Sequence, residues 1–386
     1  MNPSDDALLK FELPEIIYGW GSLSQIGQCA KRLGGERVFL VTDPGIIAAG
    51  WVDESLKYLE KEDLKYVIYD NVVTNPRCYQ VDQGVRFYYQ KECDVIVAVG
   101  GGSPMDTAKG IAILVSNHGK IHDYAGCNLI TQPIPPLICV PTTAGTGADV
   151  SQFAIISDPR KKIKMTILSR AIMADISLID PRLLQTKSQE LMAATGIDAL
   201  THAIEAYVSS LAWPLTNPHA IHAIELVFQH LRNAVRTGNI EALEGMSVAS
   251  LEAGIAFSNA ILGAVHALAH PLGAIYDMHH GLANAILLPV VVRKNLEHAT
   301  KKFAEIAKAM GLDTRGKSDE ESAKLVPEMI QKLIKDLEIP TTLSQVGVKA
   351  DDIPTLARDA QQDLCMGTNP YQYDAEEIES IYYEAL

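Results

Sequence analysis

Long hydrophobic runs, basic clusters and cysteine pairs are all missing from this sequence of 386 residues. The longest apolar run, from Ala285 to Val292, is interrupted by Pro289 and is too short to cross a bilayer. A formal net charge of −14 argues against nucleic acid or an anionic membrane as the main partner. The six cysteines lack Cys-x-x-Cys spacing, and the N-terminus lacks the basic and apolar segments of a signal peptide. These absences predict a cytoplasmic protein with free thiols.

Internal repeats and low-complexity stretches are also missing, and a chain of this length suits two domains. In the first half, short β-branched runs alternate with helical patterns. The predicted strands are 37–42, 66–69, 94–99 and 136–140, and the predicted helices are 52–61, 79–92 and 104–115. Such alternation predicts an α/β domain, residues 1–187, with a parallel sheet covered by helices on both faces. Ligands of such sheets bind beyond the carboxyl ends of the strands.

A glycine-rich turn, GGGSPMDTAK, follows the third predicted strand. Ser103 suits a helix N-cap, Pro104 suits the first helical position, and Asp106 completes a start that resembles a capping box. Free N–H groups at such a helix start would bind a pyrophosphate. The turn lacks both the GxGxxG pattern and the GK[ST] ending of an ATP-binding loop, and a plain strand–helix turn with a strong cap is the alternative.

A second polar turn, PTTAGTG, follows the fourth predicted strand and offers small hydroxyl donors. Alone it is compatible with an ordinary loop, but beside the glycine turn it suggests a second wall of one cofactor site. Asp43, at the end of the first predicted strand, is placed to accept a hydrogen bond from an adenosine ribose and to repel a 2′-phosphate.

The second half, residues 188–386, reads as an all-helical domain. Its predicted helices are 189–210, 217–236, 239–260, 262–269, 298–310, 319–337, 350–362 and 375–385. Asp198 and His202 lie four residues apart and therefore share a helix face, and His266 and His270 repeat that spacing before His280. One carboxylate with several imidazoles suits Zn(II) or Fe(II). Histidine pairs at this spacing also arise by chance, and spacing does not separate His266 from His270 as a ligand.

Taken together, the two turns and the segments TGIDALTHAIEAYVS and VHALAHPLGAIYDMHHGLANAILLP resemble the iron-containing, group III alcohol dehydrogenases over nearly the whole length. The resemblance implies a Rossmann-like N-terminal domain and a helical C-terminal domain, as in the dehydroquinate synthase-like architecture. It also implies a homodimer that binds NAD and a divalent cation, Fe(II) or possibly Zn(II), and that acts on a small alcohol or aldehyde.

Carried over residue by residue, the resemblance assigns the metal ligands to Asp198, His202, His266 and His280, and a catalytic, non-ligand role to His270. It assigns the substrate pocket to Phe257 and Cys365. The implied cofactor contacts are Asp43, Asn75, Gly101, Gly102, Ser103, Asp106, Thr142, Thr143, Thr146, Ser151, Phe153 and Lys164. A cation in such a site polarises a carbonyl oxygen as a Lewis acid, and His270 would relay the hydroxyl proton.

Other functions remain open on this fold. A dehydroquinate synthase-like lyase also binds NAD and zinc, but it needs a basic clamp for a substrate that carries phosphate and carboxylate groups. Between Glu190 and Pro289 the sequence has no lysine and only two arginines, Arg232 and Arg236. Polyol oxidation of the glycerol dehydrogenase type is a nearer alternative. A non-catalytic NAD sensor is a further one, although it would not need an intact ligand set.

Overall fold

The computed structural model describes residues 10–386, and it divides them into two compact units. The sheet unit comprises Glu12–Lys187, and the helical unit comprises Ser188–Leu386 together with Lys10 and Phe11. Phe11 falls in the first of the two predicted domains. Its ring nevertheless lies 6.0 Å from the rings of Trp213 and His219, which belong to the helical unit. The N-terminal segment that argues against a signal peptide lies outside the described residues.

The sheet unit contains the predicted parallel sheet, which has six strands in the order β1-β9-β6-β4-β2-β3. A second sheet of three strands has the order β5-β8-β7. The strands are β1 (Glu15–Tyr18), β2 (Arg37–Val41), β3 (Lys65–Tyr69), β4 (Val95–Gly100), β5 (Gly126–Cys127), β6 (Leu137–Pro141), β7 (Phe153–Asp158), β8 (Ile163–Leu168) and β9 (Ile176–Ile179). The four predicted strands are confirmed as β2, β3, β4 and β6.

Both faces of the large sheet are buried, which explains the continuous apolar runs of its central strands. Phe39 and Ile96 face one core cluster, whereas Leu40 and Val97 face the other. The helices of this unit are α1 (Ile26–Arg32), α2 (Pro44–Ala48), α3 (Trp51–Lys61), α4 (Cys78–Gln90) and α5 (Gly102–Ser116). The predicted helices 52–61, 79–92 and 104–115 correspond to α3, α4 and α5.

The helical unit contains ten α-helices and no strand among its described residues, as predicted. They are α6 (Gln189–Val208), α7 (Asn217–Arg236), α8 (Ile240–Ala260), α9 (Ala264–Tyr276), α10 (His280–Asn295), α11 (Thr300–Ala309), α12 (Asp319–Ala323), α13 (Leu325–Asp336), α14 (Ile353–Gln361) and α15 (Ala375–Ala385). The single helix predicted over 319–337 is therefore two helices.

Two helices of this unit run through a proline, and the sequence analysis missed that continuity. Helix α9 was expected to end before Pro271 but continues to Tyr276, and α10 contains Pro289. Pro271 has no N–H to donate to the carbonyl of Ala267 one turn earlier. At the next residue, the buried Tyr382 hydroxyl donates to the carbonyl of Leu268 and so contacts the helix at the turn before the proline.

Among residues 10–386, no single helix is long and apolar enough to span a membrane, and only the bent pair α8 and α9, with 101° between them, meets that test together.

Candidate metal centre and cofactor site

Four potential metal ligands converge in the helical unit from three helices. Asp198 and His202 lie on α6, His266 lies on α9, and His280 begins α10. One donor atom of each lies within 4.8 Å of the other three. The Asp198 Oδ1 atom is 4.0, 3.9 and 3.8 Å from the Nε2 atoms of His202, His266 and His280, respectively. The structure thus brings together the four residues that the resemblance assigns as ligands.

These donors fit a divalent transition-metal ion by their chemistry and their burial. Asp198 is 1% exposed and His266 is 1% exposed, whereas the side chain of His280 is 27% exposed. A carboxylate this deeply buried needs a positive charge or several donors nearby. Three imidazole nitrogens and one carboxylate oxygen form a set that Fe(II) and Zn(II) both accept, with room for a further ligand.

Close packing of α10 on α6 produces this convergence. A Cβ atom on Gly281 would lie 2.3 Å from the carbonyl oxygen of Ala194, so any side chain there would force the two helices apart. Aromatic stacking orients the second ligand: the His202 ring lies 4.4 Å from the Phe257 ring and 4.6 Å from the His266 ring. Phe257, predicted in the substrate pocket, therefore packs directly against His202, one of the four potential metal ligands.

A second carboxylate, Glu205, supports His266, and the sequence analysis missed it. Glu205 Oε2 lies 2.6 Å from His266 Nδ1, and Oε1 accepts a 2.6 Å hydrogen bond from the Val265 amide. Burial raises the pKa of Glu205 to about 7, although the backbone N–H groups of Val265 and Gly263 favour its charged form. A carboxylate on the second nitrogen of a ligating histidine fixes its tautomer and orientation. The sequence offered one signal for Glu205: it lies three residues after His202 and therefore close to the same helix face.

His270 lies beside the four donors but belongs to a different group. Its Nδ1 atom is 2.7 Å from Asp363 Oδ2, and its ring stacks on that of His280 with 5.4 Å between the centroids. Cys365, in a short 3-10 helix over Leu364–Thr368, completes this group and is buried. Burial would raise the pKa of Asp363, but His270 and the hydrogen bonds from Cys365 together outweigh it and hold that pKa below its usual range. Burial raises the pKa of the Cys365 thiol, and the negative charge of Asp363 raises it further.

In the sheet unit, the glycine and threonine turns touch each other because β4 and β6 are neighbours. A Cβ atom on Gly101 would lie 3.2 Å from Thr143 Oγ1, and one on Gly102 would lie 3.1 Å from the Thr146 methyl. The hydroxyl groups of Thr142 and Thr143 are buried without a hydrogen-bond partner among residues 10–386. Buried hydroxyls normally have partners, so this edge of the sheet suits a polar ligand.

The start of α5 differs from the prediction. The helix begins at Gly102 with Gly101 as its N-cap, and no side chain caps it, so the assignment of Ser103 as N-cap was wrong. Gly101 has an extended backbone and lies close to Thr143, so close packing against the threonine turn accounts for a glycine at this cap. The first-turn N–H groups therefore have no side-chain cap, which is the arrangement that favours an anionic group.

Asp43 and Asn75 follow β2 and β3, at the same edge of the sheet. The Asp43 side chain accepts a 3.1 Å hydrogen bond from the Ile46 amide and so caps α2, which gives this residue a structural role whether or not it also binds a ribose. Asn75 is buried and has a left-handed backbone with φ 55°. In the sheet order β6-β4-β2-β3, the threonine turn, the glycine turn, Asp43 and Asn75 follow four successive strands, so all four lie beyond the same edge of the sheet.

The remaining predicted cofactor residues lie around a buried lysine that the sequence analysis did not single out. Lys109 of α5 donates from Nζ to the carbonyl groups of Ala148, Ser151 and Phe153, at 2.6, 2.6 and 2.8 Å. Burial lowers its pKa, and nearby acidic groups oppose that shift.

One turn of α5 before Lys109 lies Asp106, whose environment also includes Lys164. Burial raises the pKa of Asp106 to about 7, against the opposing effect of Lys109 and Lys164. Asp106 thus lies one helix turn from the lysine that holds Ser151 and Phe153, and near enough to Lys164 for their charges to interact.

Comparison with known proteins gives a consistent result for both halves of the chain. Residues 14–181 match the model of the iron-containing alcohol dehydrogenases, and residues 192–386 match that of the C-terminal part of the Fe-containing alcohol dehydrogenase family. The chain is 43% identical to 1,3-propanediol dehydrogenase of Citrobacter freundii, covering 98% of this chain and 99% of that protein. It is 38% identical to lactaldehyde reductase of Escherichia coli K12, covering 95% and 97% of the two chains.

Solved structures agree with these relatives. A 1,3-propanediol oxidoreductase superposes with a TM-score of 0.96 at 41% identity, covering 98% of this chain and 100% of that one. A sulfoacetaldehyde reductase of Bifidobacterium kashiwanohense, solved in complex with NAD+, superposes with a TM-score of 0.86 at 26% identity and covers 98% and 99% of the two chains. The chain belongs to the iron-containing alcohol dehydrogenase family.

Proposed function

We propose that this chain is an NAD(H)-linked, Fe(II)-dependent enzyme that interconverts small primary alcohols or diols and their aldehydes. The convergence of Asp198, His202, His266 and His280 within 4.8 Å carries this proposal, because an alcohol dehydrogenase of this family needs such a donor set. A cation held there would polarise the oxygen of the alcohol or aldehyde as a Lewis acid.

His270 is proposed to exchange the hydroxyl proton of the substrate. The Asp363 carboxylate, 2.7 Å from Nδ1, favours a proton on that nitrogen and leaves Nε2 as the acceptor. An imidazole nitrogen can accept a proton and can return it, so the group is suited to both directions of the reaction. Asp363 acts through His270 and is a positioning residue.

The sheet unit is proposed to bind the dinucleotide at the carboxyl edge of its large sheet. The pyrophosphate would lie on the uncapped start of α5 at Gly101, Gly102 and Ser103. The hydroxyl groups of Thr142 and Thr143, for which residues 10–386 offer no hydrogen-bond partner, would donate to the nicotinamide half. Asp43 keeps one carboxylate oxygen for its helix cap, and its other oxygen would contact the adenosine ribose.

A small, uncharged substrate is favoured by what surrounds the four donors. Phe257 and Cys365 are apolar and buried. The two arginines of the region 190–289 both engage another residue, since Arg232 Nε and Arg236 Nη2 donate to Asp336. No basic clamp is left there for a phosphate or carboxylate, which disfavours the lyase alternative. By family resemblance we also propose that the chain works in the cytoplasm as a homodimer.

A panel of aldehydes would test this function. Protein loaded anaerobically with Fe(II) is mixed with NADH and with propanal, 3-hydroxypropanal or lactaldehyde, and the loss of NADH absorbance is followed. Succinic semialdehyde, a short aldehyde with a carboxylate, serves as the charged comparison. We expect turnover of the neutral aldehydes and a kcat/KM at least about tenfold lower for the charged one, since an unpaired carboxylate has no partner here. Failure of every neutral aldehyde, and of NAD+ reduction by the matching alcohols, would contradict the proposal.

A further inference from the structure

A buried amide, that of Asn284, lies against the four donors. Asn284 is fully buried on α10, four residues after His280, and therefore shares the helix face of that histidine. Its Nδ2 atom is 2.6 Å from Asp198 Oδ1, 3.3 Å from His266 Nε2 and 3.2 Å from His280 Nε2. These three atoms are the same ones that Asp198, His266 and His280 offer toward each other.

The contacts of the amide nitrogen, and not those of the amide oxygen, fix the orientation of the Asn284 side chain. The Oδ1 atom of Asn284 is buried without a hydrogen-bond partner among residues 10–386. If the amide were turned over, that oxygen would face the Asp198 carboxylate at the 2.6 Å separation, which is repulsive. A buried amide that serves only to fill the core normally satisfies both of its ends. The contact with the carboxylate therefore determines how this side chain is placed.

The shortest of the three contacts is the hydrogen bond to Asp198 Oδ1, at 2.6 Å. Each imidazole Nε2 has one lone pair, which a bound cation would use, whereas a carboxylate oxygen can accept from the amide and still bind the cation. Asp198 is the only anionic member of the donor set, and it lies 3.8–4.0 Å from each imidazole nitrogen. A donor that fixes one of its oxygens limits rotation of the carboxylate. Partners of this kind orient the ligands of protein metal sites and affect metal affinity.

We propose that Asn284 is a positioning residue of the metal centre, which holds the Asp198 carboxylate in the orientation required for binding the cation. The proposal rests on the function proposed above. It adds a second contact from outside the ligand set, besides the pairing of Glu205 with His266 Nδ1.

The test measures metal affinity, not activity. Co(II) is titrated into metal-free wild type, Asn284→Leu and Asn295→Leu in competition with a chelator, and the visible absorption of bound cobalt is recorded. Asn295 is the matched control, because it is a buried asparagine on the same helix whose partners are Asn369 and Tyr373. Asn284→Ala is included in case leucine prevents folding.

We expect the Asn284 variants to bind Co(II) about 10–100-fold more weakly than wild type, with altered cobalt bands. Asn295→Leu should lower the melting temperature and leave the affinity within about twofold of wild type. Wild-type affinity in both Asn284 variants would overturn the proposal, and so would an equal loss in Asn295→Leu. A wild-type chain that does not bind Co(II) would instead contradict the proposed function.

Discussion

Replacing the buried Lys109 of the sheet unit tests whether this lysine holds part of the proposed NAD(H) site in place. Lys109→Met removes the ammonium group and keeps a side chain of similar length. The carbonyl groups of Ala148, Ser151 and Phe153 then lose the donor that now lies 2.6–2.8 Å away. Each unsatisfied buried group costs about 1–3 kcal/mol, or about 3–9 kcal/mol for the three. Methionine also removes the desolvation penalty of a buried ammonium, which amounts to several kcal/mol.

The expected net effect is a loss of about 2–5 kcal/mol in the free energy of unfolding of the sheet unit. Urea unfolding followed by tryptophan fluorescence measures it. In a Trp213→Phe background the remaining tryptophans, Trp20 and Trp51, both lie in the sheet unit. Lys57→Met, an exposed substitution in the same unit, is the control.

Function should respond in a specific way. Because Lys109 holds the segment that carries Ser151 and Phe153, we expect weaker binding of NADH in a fluorescence titration. The metal content should not change, since the four donors belong to the helical unit. If Lys109→Met unfolds at the same urea concentration as Lys57→Met and binds NADH equally well, the proposed structural role of Lys109 is wrong.

Three further predictions concern single side chains. His270→Ala should keep its iron while turnover falls by about 10²–10⁴-fold, the usual effect of a lost acid–base group; loss of iron would make it a ligand instead. Asp43→Ser keeps a helix cap but removes the charge, so kcat/KM with NADPH should rise by about one to two decades relative to NADH, whereas an unchanged ratio would leave Asp43 as a cap only. Burial would raise the pKa of Asp180, but the Arg182 guanidinium and the three backbone N–H groups of Gly21, Leu23 and Arg182 outweigh it and lower that pKa, so the stabilising effect of Asp180 is complete above about pH 5 and is lost as the pH falls through the folded pKa. Asp180→Asn should therefore flatten the acid side of the urea midpoint plotted against pH, and an unchanged slope would contradict this.

Much of the architecture followed from the sequence because the relevant signals are local. The strands β2, β3, β4 and β6 are continuous apolar runs, and the spacing of Asp198 and His202 is that of one helix turn. Helix α10 was missed because Pro289 and the β-branched residues Val290 to Val292 are poor helix formers, and burial overrides that preference. The short strands β1 and β9 have too few residues to show a period.

The contacts that complete the site were less predictable. Spacing alone did not separate His266 from His270, because both lie on one face of α9; the fold does so through their different partners, Glu205 and Asp363. Lys109 carries no local signal, since its partners lie at least 39 residues away along the chain. The spacing of Asn284 from His280 is that of one helix turn, but its contact with Asp198, 86 residues away, is not visible in the sequence. Roles that depend on such distant contacts become visible only when the helices are packed.

Iron content and turnover of two ligand variants test the central claim most directly. His266→Ala and His280→Ala each remove one of the four donors, and His222→Ala, whose side chain is 50% exposed in the same unit, is the control. Iron per chain is measured on the purified proteins, together with NADH oxidation by propanal. The account predicts that wild type and His222→Ala hold about one ion per chain and turn over, whereas both ligand variants lose metal and activity together. A ligand variant with full iron content and full turnover would contradict it.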